Sequence, residues 1–397
     1  MGSTNDFFDR KREWSKLKDM ILAEYLVPYL TKIAHTRRPI VIFDCFAGKG
    51  RFDDGEQGSP LIIEHVVKQY LNKNPNINIS CNFIEKKYGE ELQKNISYSK
   101  TEVCKDSFED NVQNICKKII NGNAFVYVDP YGIKSLEFSS FKKISECSYN
   151  SLEMLINLNT FGFLREGCRL LQLDAEKLFS DIDDEYVFVS DVDSIEKMNE
   201  IANGDYWQKI IIDFKSEKIN MFQAEELFAK LYVERLSGLF KYISHIPIKL
   251  KSKNMPKYRL IFGTNYEEGL FLMVNEMNKI WMEILLNERN MQMVLFEYVK
   301  PDSSLEYADF SKDLIAEIKK YQGFVNVRQV VVNLICKYGI AFNTKQYRDY
   351  LKKMEGDKIV EIKRTPNKTI TGKKATSLGF EGKDYRIEVR INETNHT

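Results

Sequence analysis

The chain has 397 residues, 43% of them hydrophobic and 29% charged, with a formal net charge of +1. That length holds two or three domains of roughly 100–200 residues. The balanced charge excludes a surface that is basic or acidic throughout, so charge must be read by segment. The seven cysteines include no CxxC pair and the four histidines have no metal-ligand spacing, which argues against zinc. The thiols read as reduced and buried, as in a cytosolic protein. The charged N-terminus lacks an apolar signal core, and no segment approaches the ~18 apolar residues of a membrane span. The expected setting is soluble and cytoplasmic, with no membrane partner.

Within residues 7–35, Trp14, Leu17, Ile21, Tyr25 or Leu26, Tyr29 or Leu30, and Ile33 recur at helical spacing. They predict an amphipathic helix, and residues 1–38 form a helical extension. The basic Arg10, Lys11, Arg12, Lys16 and Lys18 read as its wet face. A strand then leads through Val41, Ile42 and Phe43 to Asp44, Phe46 and the closely spaced Gly48 and Gly50. A helix follows near Pro60. A second strand runs over 78–84 to Glu85, and a third over 101–104 to Asp106. A helix over 108–121 precedes the apolar run Ala124–Val128, which ends in Asp129, Pro130, Tyr131 and Gly132. A fifth strand covers 152–158. Strands alternating with helices predict an α/β fold with a doubly wound, mostly parallel sheet over residues 39–295.

Residues 174–235 read as a helical insertion. Segments 242–250 and 258–264, split by the polar turn 251–257, suit an antiparallel edge, and a helix over 267–288 closes the domain. Residues 311–397 give helices near 311–321, 328–338 and 345–354, then strands at 358–362 and 385–389 around a polar loop. This is the order of a winged-helix-like domain. Thr344 is the expected N-cap of the third helix, because its hydroxyl can satisfy a free amide.

The strand ends carry the chemistry. Gly48 and Gly50 let the backbone approach a ligand, and a following helix N-terminus offers amides to an anion. The Walker pattern and the three dinucleotide glycines are both incomplete. S-adenosylmethionine fits better, with Asp44 meeting its cationic amine, Glu85 its ribose and Asp106 its adenine amino group. Asp129 and the Pro130 carbonyl can accept the N–H groups of an exocyclic amine while Tyr131 stacks on its ring. The tetrapeptide also suits a plain turn. Asn157, Asn159 and Phe161 would line the same pocket or serve as ordinary turn residues.

The segments FDCFAGKG, NFIEKKY, KDSF and VDPYG resemble the motifs of class I S-adenosylmethionine-dependent methyltransferases. With the WSKLK…YL helix, NTFGFLR and YRLIFGTNYEEGLFLM, the chain resembles more narrowly the three-Cys-motif partner (TcmP) family. That resemblance implies a Rossmann-like methyltransferase fold and association with a three-cysteine-motif partner protein. The Asp-Pro-Tyr-Gly segment departs from the DPPY form of amino-methyltransferases and looks closer to the DPFG form of tRNA guanine dimethyltransferases.

A nucleic-acid partner, DNA or RNA, is expected from the loop carrying Lys363, Arg364, Lys368, Lys373 and Lys374, which would track phosphates. Lys345, Arg348 and Lys352 on the preceding helix could reach the backbone or a groove. Two functions result. One is methylation of an exocyclic amino group of a base; the other is an inactive methyltransferase-fold subunit presenting substrate to a three-cysteine partner.

Overall fold

The computed structural model describes residues 10–173, 192–249, 255–293, 307–368, 371–379 and 386–392. Residues 174–191 of the expected insertion, 251–254 of the polar turn, and Tyr385 lie outside them. The chain divides into two compact units, Met1–Glu276 and Met277–Thr397.

The first unit is built on seven strands: β1 (Ile40–Asp44), β2 (Ile79–Ile84), β3 (Thr101–Cys104), β4 (Asn123–Val128), β5 (Ser151–Leu158), β6 (Tyr242–Ile248) and β7 (Tyr258–Thr264). Their order is β3-β2-β1-β4-β5-β7-β6. The first five pair in parallel, and β7 runs antiparallel to both β5 and β6. This is a mostly parallel, doubly wound sheet with an antiparallel edge. Strand order reverses between β1 and β4, and in such sheets the crevice beyond the strand ends at that reversal is where ligands bind. Asp44 and Asp129 terminate these two strands.

Every residue of β1 and β4 is buried, which is why both read as unbroken apolar runs. Side chains alternate between faces. Ala124, Val126 and Val128 enter a core with Val112, Ile115 and Phe141. On the opposite face, Phe125 meets Tyr25 at 5.8 Å and Tyr29 at 5.6 Å, both from α1 (Glu13–Ile33). Each such buried ring contributes about 1.5–3 kcal/mol, enough to fix α1 on the sheet. The Tyr25 hydroxyl donates to the buried Glu153 of β5, and burial pushes that carboxyl up to about 7.

The same alternation puts Asp44, Tyr127, Asp129 and Asn157 in phase with Phe125 and Glu153, towards α1. Helices α2 (Ser59–Lys73), α3 (Gly89–Asn95), α4 (Phe108–Lys118) and α5 (Phe138–Ser145) flank the sheet. After β5 come α6 (Thr160–Leu170), α7 (Ile195–Ala202), α8 (Tyr206–Lys215) and α9 (Met221–Leu236). Phe163 stacks on Phe228 at 4.3 Å. Arg259 of β7 grips Glu225 of α9 through Nε at 2.8 Å and Nη2 at 2.5 Å, and the Thr160 hydroxyl donates to the same carboxylate at 2.7 Å. A buried pair with these added hydrogen bonds leaves no uncompensated charge. Helix α10 (Glu267–Met293) follows β7.

In the second unit, α11 (Tyr307–Lys319), β8 (Val325–Asn326), α12 (Val327–Tyr338), α13 (Thr344–Gly356), β9 (Val360–Thr365) and β10 (Arg386–Ile391) follow in sequence. The strands form an antiparallel sheet ordered β8-β10-β9. Phe310 centres the core, 4.4 Å from Phe342 and 4.5 Å from Tyr350.

Two expectations need correction. Asn343, rather than Thr344, caps α13: its Oδ1 accepts from Gln346 N–H while the Gln346 side chain accepts from Asn343 N–H, a reciprocal capping box. Nor are the thiols uniformly reduced and buried. Cys116 and Cys147 are disulfide-bonded, Cys104 is half-buried and Cys336 exposed.

Candidate active site

A cavity of about 500 Å³ opens at the C-terminal ends of β1 to β4. Phe46, Gly48 and Gly50 line it from β1, Glu85 from β2, Asp106 from β3, and Asp129, Pro130 and Tyr131 from β4. These residues, far apart in sequence, therefore share one site. Gly132 and Asp44 are not part of its wall.

The turn after β1 needs glycine. Gly48 and Gly50 have φ of 62° and 81°, and a Cβ on Gly50 would stand 2.9 Å from Leu92 Cδ1. Glu85 closes this turn: its Oε2 accepts from Gly48 N–H at 2.8 Å, and its Oε1 from the N–H groups of Lys87 at 2.8 Å and Tyr88 at 3.0 Å. Three of roughly four acceptor directions are thus used, leaving one for a ligand hydroxyl. Asp106 is exposed at the tip of β3, beside Ser107, whose hydroxyl caps α4 by accepting from Asp110 N–H.

Asp44 is fully buried, and its oxygens accept from the Ser59 hydroxyl at 2.6 Å and Phe46 N–H at 3.3 Å. Burial, reinforced by the nearby Asp129 and Asp19, pushes its carboxyl up to about 7. The carboxyl that does reach the cavity on this side is Asp19 of α1, with Ser59 beside it. Burial raises Asp19 to about 6, against the lowering pull of Lys11 and Lys18.

Asp129 is surrounded by donors. Lys18 Nζ contacts both carboxylate oxygens at 2.7 Å, the Tyr127 hydroxyl donates to Oδ2 at 2.9 Å, and Asn157 Nδ2 to Oδ1 at 2.6 Å. Lys18 also lies over the Tyr258 ring, 4.8 Å from its centroid. Tyr131 is 52% exposed, so its ring can receive a planar partner. Asn157, Asn159 and Phe161 do not line the cavity; Asn157 is buried behind Asp129. Asn159 caps α6 through Gly162 N–H at 2.7 Å, and Phe161 is buried in the core.

Helix α1 is a wall of the site, which its charge pattern did not reveal. Ser15, Lys18, Asp19 and, from β7, Tyr258 line the cavity. Lys11 and Lys18, expected on a wet face, are both buried. Lys11 Nζ reaches Gln57 O and Asp19 at 2.5 Å, while its N–H donates to Asp54 at 3.0 Å. The basic residue therefore clamps the loop following the glycine turn.

In the second unit, Arg364 is not disposed to track phosphates. Its side chain is 7% exposed and bidentate to Glu355, at 2.7 and 2.6 Å. Lys363 Nζ lies 4.0 Å from Glu388. Lys368 and Lys374 face one another across an isolated antiparallel bridge and are exposed, as is Lys373. On α13, Lys345, Arg348 and Lys352 are spaced three and seven residues apart, hence on one helical face; Lys345 and Lys352 are exposed and Arg348 half-buried.

Among the described residues no cluster of three His, Cys, Asp or Glu side chains is arranged for a metal ion, and no helix is long and apolar enough to cross a membrane. Sequence comparison finds no matching family profile and no matching curated protein. The chain is similar to the solved structure of Trm1 from Pyrococcus horikoshii with S-adenosyl-L-methionine, at 10% identity, covering 82% of this chain and 90% of that one, with a TM-score of 0.32. It is also similar to the plantazolicin methyltransferase BamL in complex with a triazolic analog and SAH, at 13% identity, covering 66% and 90%, with a TM-score of 0.31. At these identities and scores the chemistry rests on the cavity's own residues.

Proposed function

We propose that the chain is an S-adenosylmethionine-dependent methyltransferase that modifies an exocyclic amino group of a nucleic-acid base. The carrying observation is the single cavity that joins the glycine turn, Glu85 and Asp106 to Asp129, Pro130 and Tyr131. Bound there, the cofactor would supply an electrophilic methyl group on sulfonium. Gly48 and Gly50 would admit its amino-acid portion, with Asp19 facing the cationic amine and Asp44 behind it. Glu85 would accept from the ribose and Asp106 from the adenine amino group.

Asp129 and the Pro130 carbonyl would accept the N–H bonds of the target amine and aim its lone pair, while Tyr131 stacks on the base. This is catalysis by positioning and preorganised charge. As the amine took up the cofactor's methyl group, it would give up the proton that it donates to the Asp129 carboxylate. A target within a duplex would first be flipped out of the stack.

The second unit is read as a winged-helix-like module, supported by its helix and strand sequence and the β8-β10-β9 order. Lys345 and Lys352 with Lys368, Lys373 and Lys374 would hold phosphates. The test is transfer of labelled methyl from S-adenosylmethionine to total RNA and DNA, paired with calorimetry of cofactor binding. Failure to bind either S-adenosylmethionine or its demethylated product removes the enzyme reading.

One observation favours a second reading. Asp129 already holds four hydrogen bonds, as expected for a binding subunit that presents substrate to a three-cysteine-motif partner. Cofactor binding without transfer to any nucleic acid would support it.

A further inference from the structure

Asp129 presents its carboxylate to the cavity with roughly all four acceptor directions filled. Two of its donors cannot move far: the Tyr127 hydroxyl and Asn157 Nδ2 come from adjacent parallel strands, at 2.9 and 2.6 Å. The other two contacts belong to one group, the Lys18 ammonium, at 2.7 Å from each oxygen. Lys18 comes from α1 on a flexible four-carbon stem with three rotatable N–H donors. Lys18, Asp129 and Tyr258 all line the cavity. A target amine can therefore reach Asp129 only by taking a place that a Lys18 N–H now holds.

That exchange has a chemical requirement. A displaced ammonium N–H in a partly buried site needs a new acceptor, since leaving it unmade costs its full desolvation. An amidine-like edge, in which the amino-bearing carbon is double-bonded to a ring nitrogen, supplies one. Its amino group donates to the vacated carboxylate position while its ring nitrogen accepts the freed Lys18 N–H. Charge stays balanced and no donor is stranded. An aliphatic ammonium supplies no acceptor and sets a second cation beside Lys18 on a single carboxylate.

Resting on the methyltransferase reading of this cavity, we propose that Lys18 is a specificity-determining residue. With Asp129 it reads the amidine-like edge common to adenine, cytosine and guanine, and it turns away aliphatic cationic amines.

The test titrates adenosine, cytidine, guanosine, purine riboside (adenosine without its amino group) and spermidine into the full chain, with and without S-adenosylhomocysteine, by saturation-transfer NMR. At least one amino-bearing nucleoside binds the wild type about tenfold more tightly than purine riboside and spermidine do. In Lys18→Met that nucleoside weakens about tenfold, while spermidine binds more tightly than to the wild type. Lys18→Gln, neutral but still a donor, keeps the nucleoside within about threefold. It also provides the decisive comparison if Lys18→Met fails to fold. Unchanged preferences in folded Lys18→Met, or spermidine equalling the nucleosides on the wild type, overturn the proposal. Methyl transfer is followed on the same samples. The expected binding pattern with no transfer anywhere removes the enzyme reading and leaves the role of Lys18 standing. Transfer with unchanged preferences in the variant removes Lys18 and keeps the enzyme.

Discussion

The backbone N–H of Gly48 donates to Glu85 Oε2 at 2.8 Å, so the acid at the tip of β2 closes the turn that follows β1. Glu85 holds the floor of the cavity as well as offering a ligand an acceptor. Glu85→Ala is expected to strand three backbone donors, costing about 1–3 kcal/mol of stability and weakening S-adenosylhomocysteine by roughly 10- to 100-fold. Calorimetry and urea unfolding measure both, and wild-type affinity in the variant would refute the dual role.

Two glycines with positive φ make a paired prediction. Gly50 combines φ +81° with a crowded Cβ position 2.9 Å from Leu92 Cδ1, whereas Gly55 has φ +87° and nothing within 4 Å. Gly55→Ala should cost about 1 kcal/mol for the backbone alone, and Gly50→Ala about 2–4 kcal/mol once overpacking is added. Equal unfolding midpoints would show that the turn yields without strain.

The raised carboxyls of Asp44, about 7, and Asp19, about 6, make stability depend on pH. An unfolded Asp titrates near ~3.9, so the folded chain binds these protons more tightly. The corresponding stability is full below pH ~4 and is lost as pH rises through 6 to 7. Asp44→Asn should therefore gain on the wild type by a few kcal/mol, to order of magnitude, between pH 5 and pH 8. Chemical denaturation at the two pH values checks this, and a pH-independent difference would contradict it. A cationic amine bound beside Asp19 should also release protons near pH 6, visible as a buffer-dependent binding enthalpy.

Arg364 and the exposed lysines should separate cleanly. Lys345→Ala, Lys352→Ala or Lys373→Ala is expected to lower the salt dependence of nucleic-acid binding by about 0.7–0.9 for each phosphate no longer neutralised, with stability unchanged. Arg364→Ala should cost about 1–3 kcal/mol of stability through its bidentate bond to Glu355, and Glu355→Ala should cost a similar amount. An Arg364→Ala chain of unchanged stability that loses affinity like the lysine variants would restore Arg364 to the phosphate surface.

The sheet was legible because β1 and β4 are covered on both faces, which forces apolar runs whose first polar residues, Asp44 and Asp129, mark the strand ends. The glycine turn was legible from its spacing. The wall supplied by α1 was not. Lys18 meets Asp129 across 111 residues and Lys11 meets Gln57 across 46; Lys18 falls within the apolar stripe of α1, four residues after Trp14 and three before Ile21, a position that marks a covered lysine without naming its partner. A signal was nonetheless present. Period-two phasing puts Asp129 and Asn157 on the same face as Phe125, so whatever covers that face must answer a carboxylate. Asn343 was missed as a cap because Thr344 is an equally good cap type; Gln346 three residues beyond Asn343 decides between them. The pairing of Arg364 with Glu355 depends on how β9 folds back on α13, which composition does not record.

The most direct measurement is a crystal structure of the chain grown with S-adenosylhomocysteine. Convergence of the four strand ends predicts density across the Gly48–Gly50 turn, ribose at Glu85, adenine towards Asp106, and the thioether sulfur opening onto Asp129. Density bound elsewhere, or none at saturating ligand, would contradict a shared cleft for donor and acceptor.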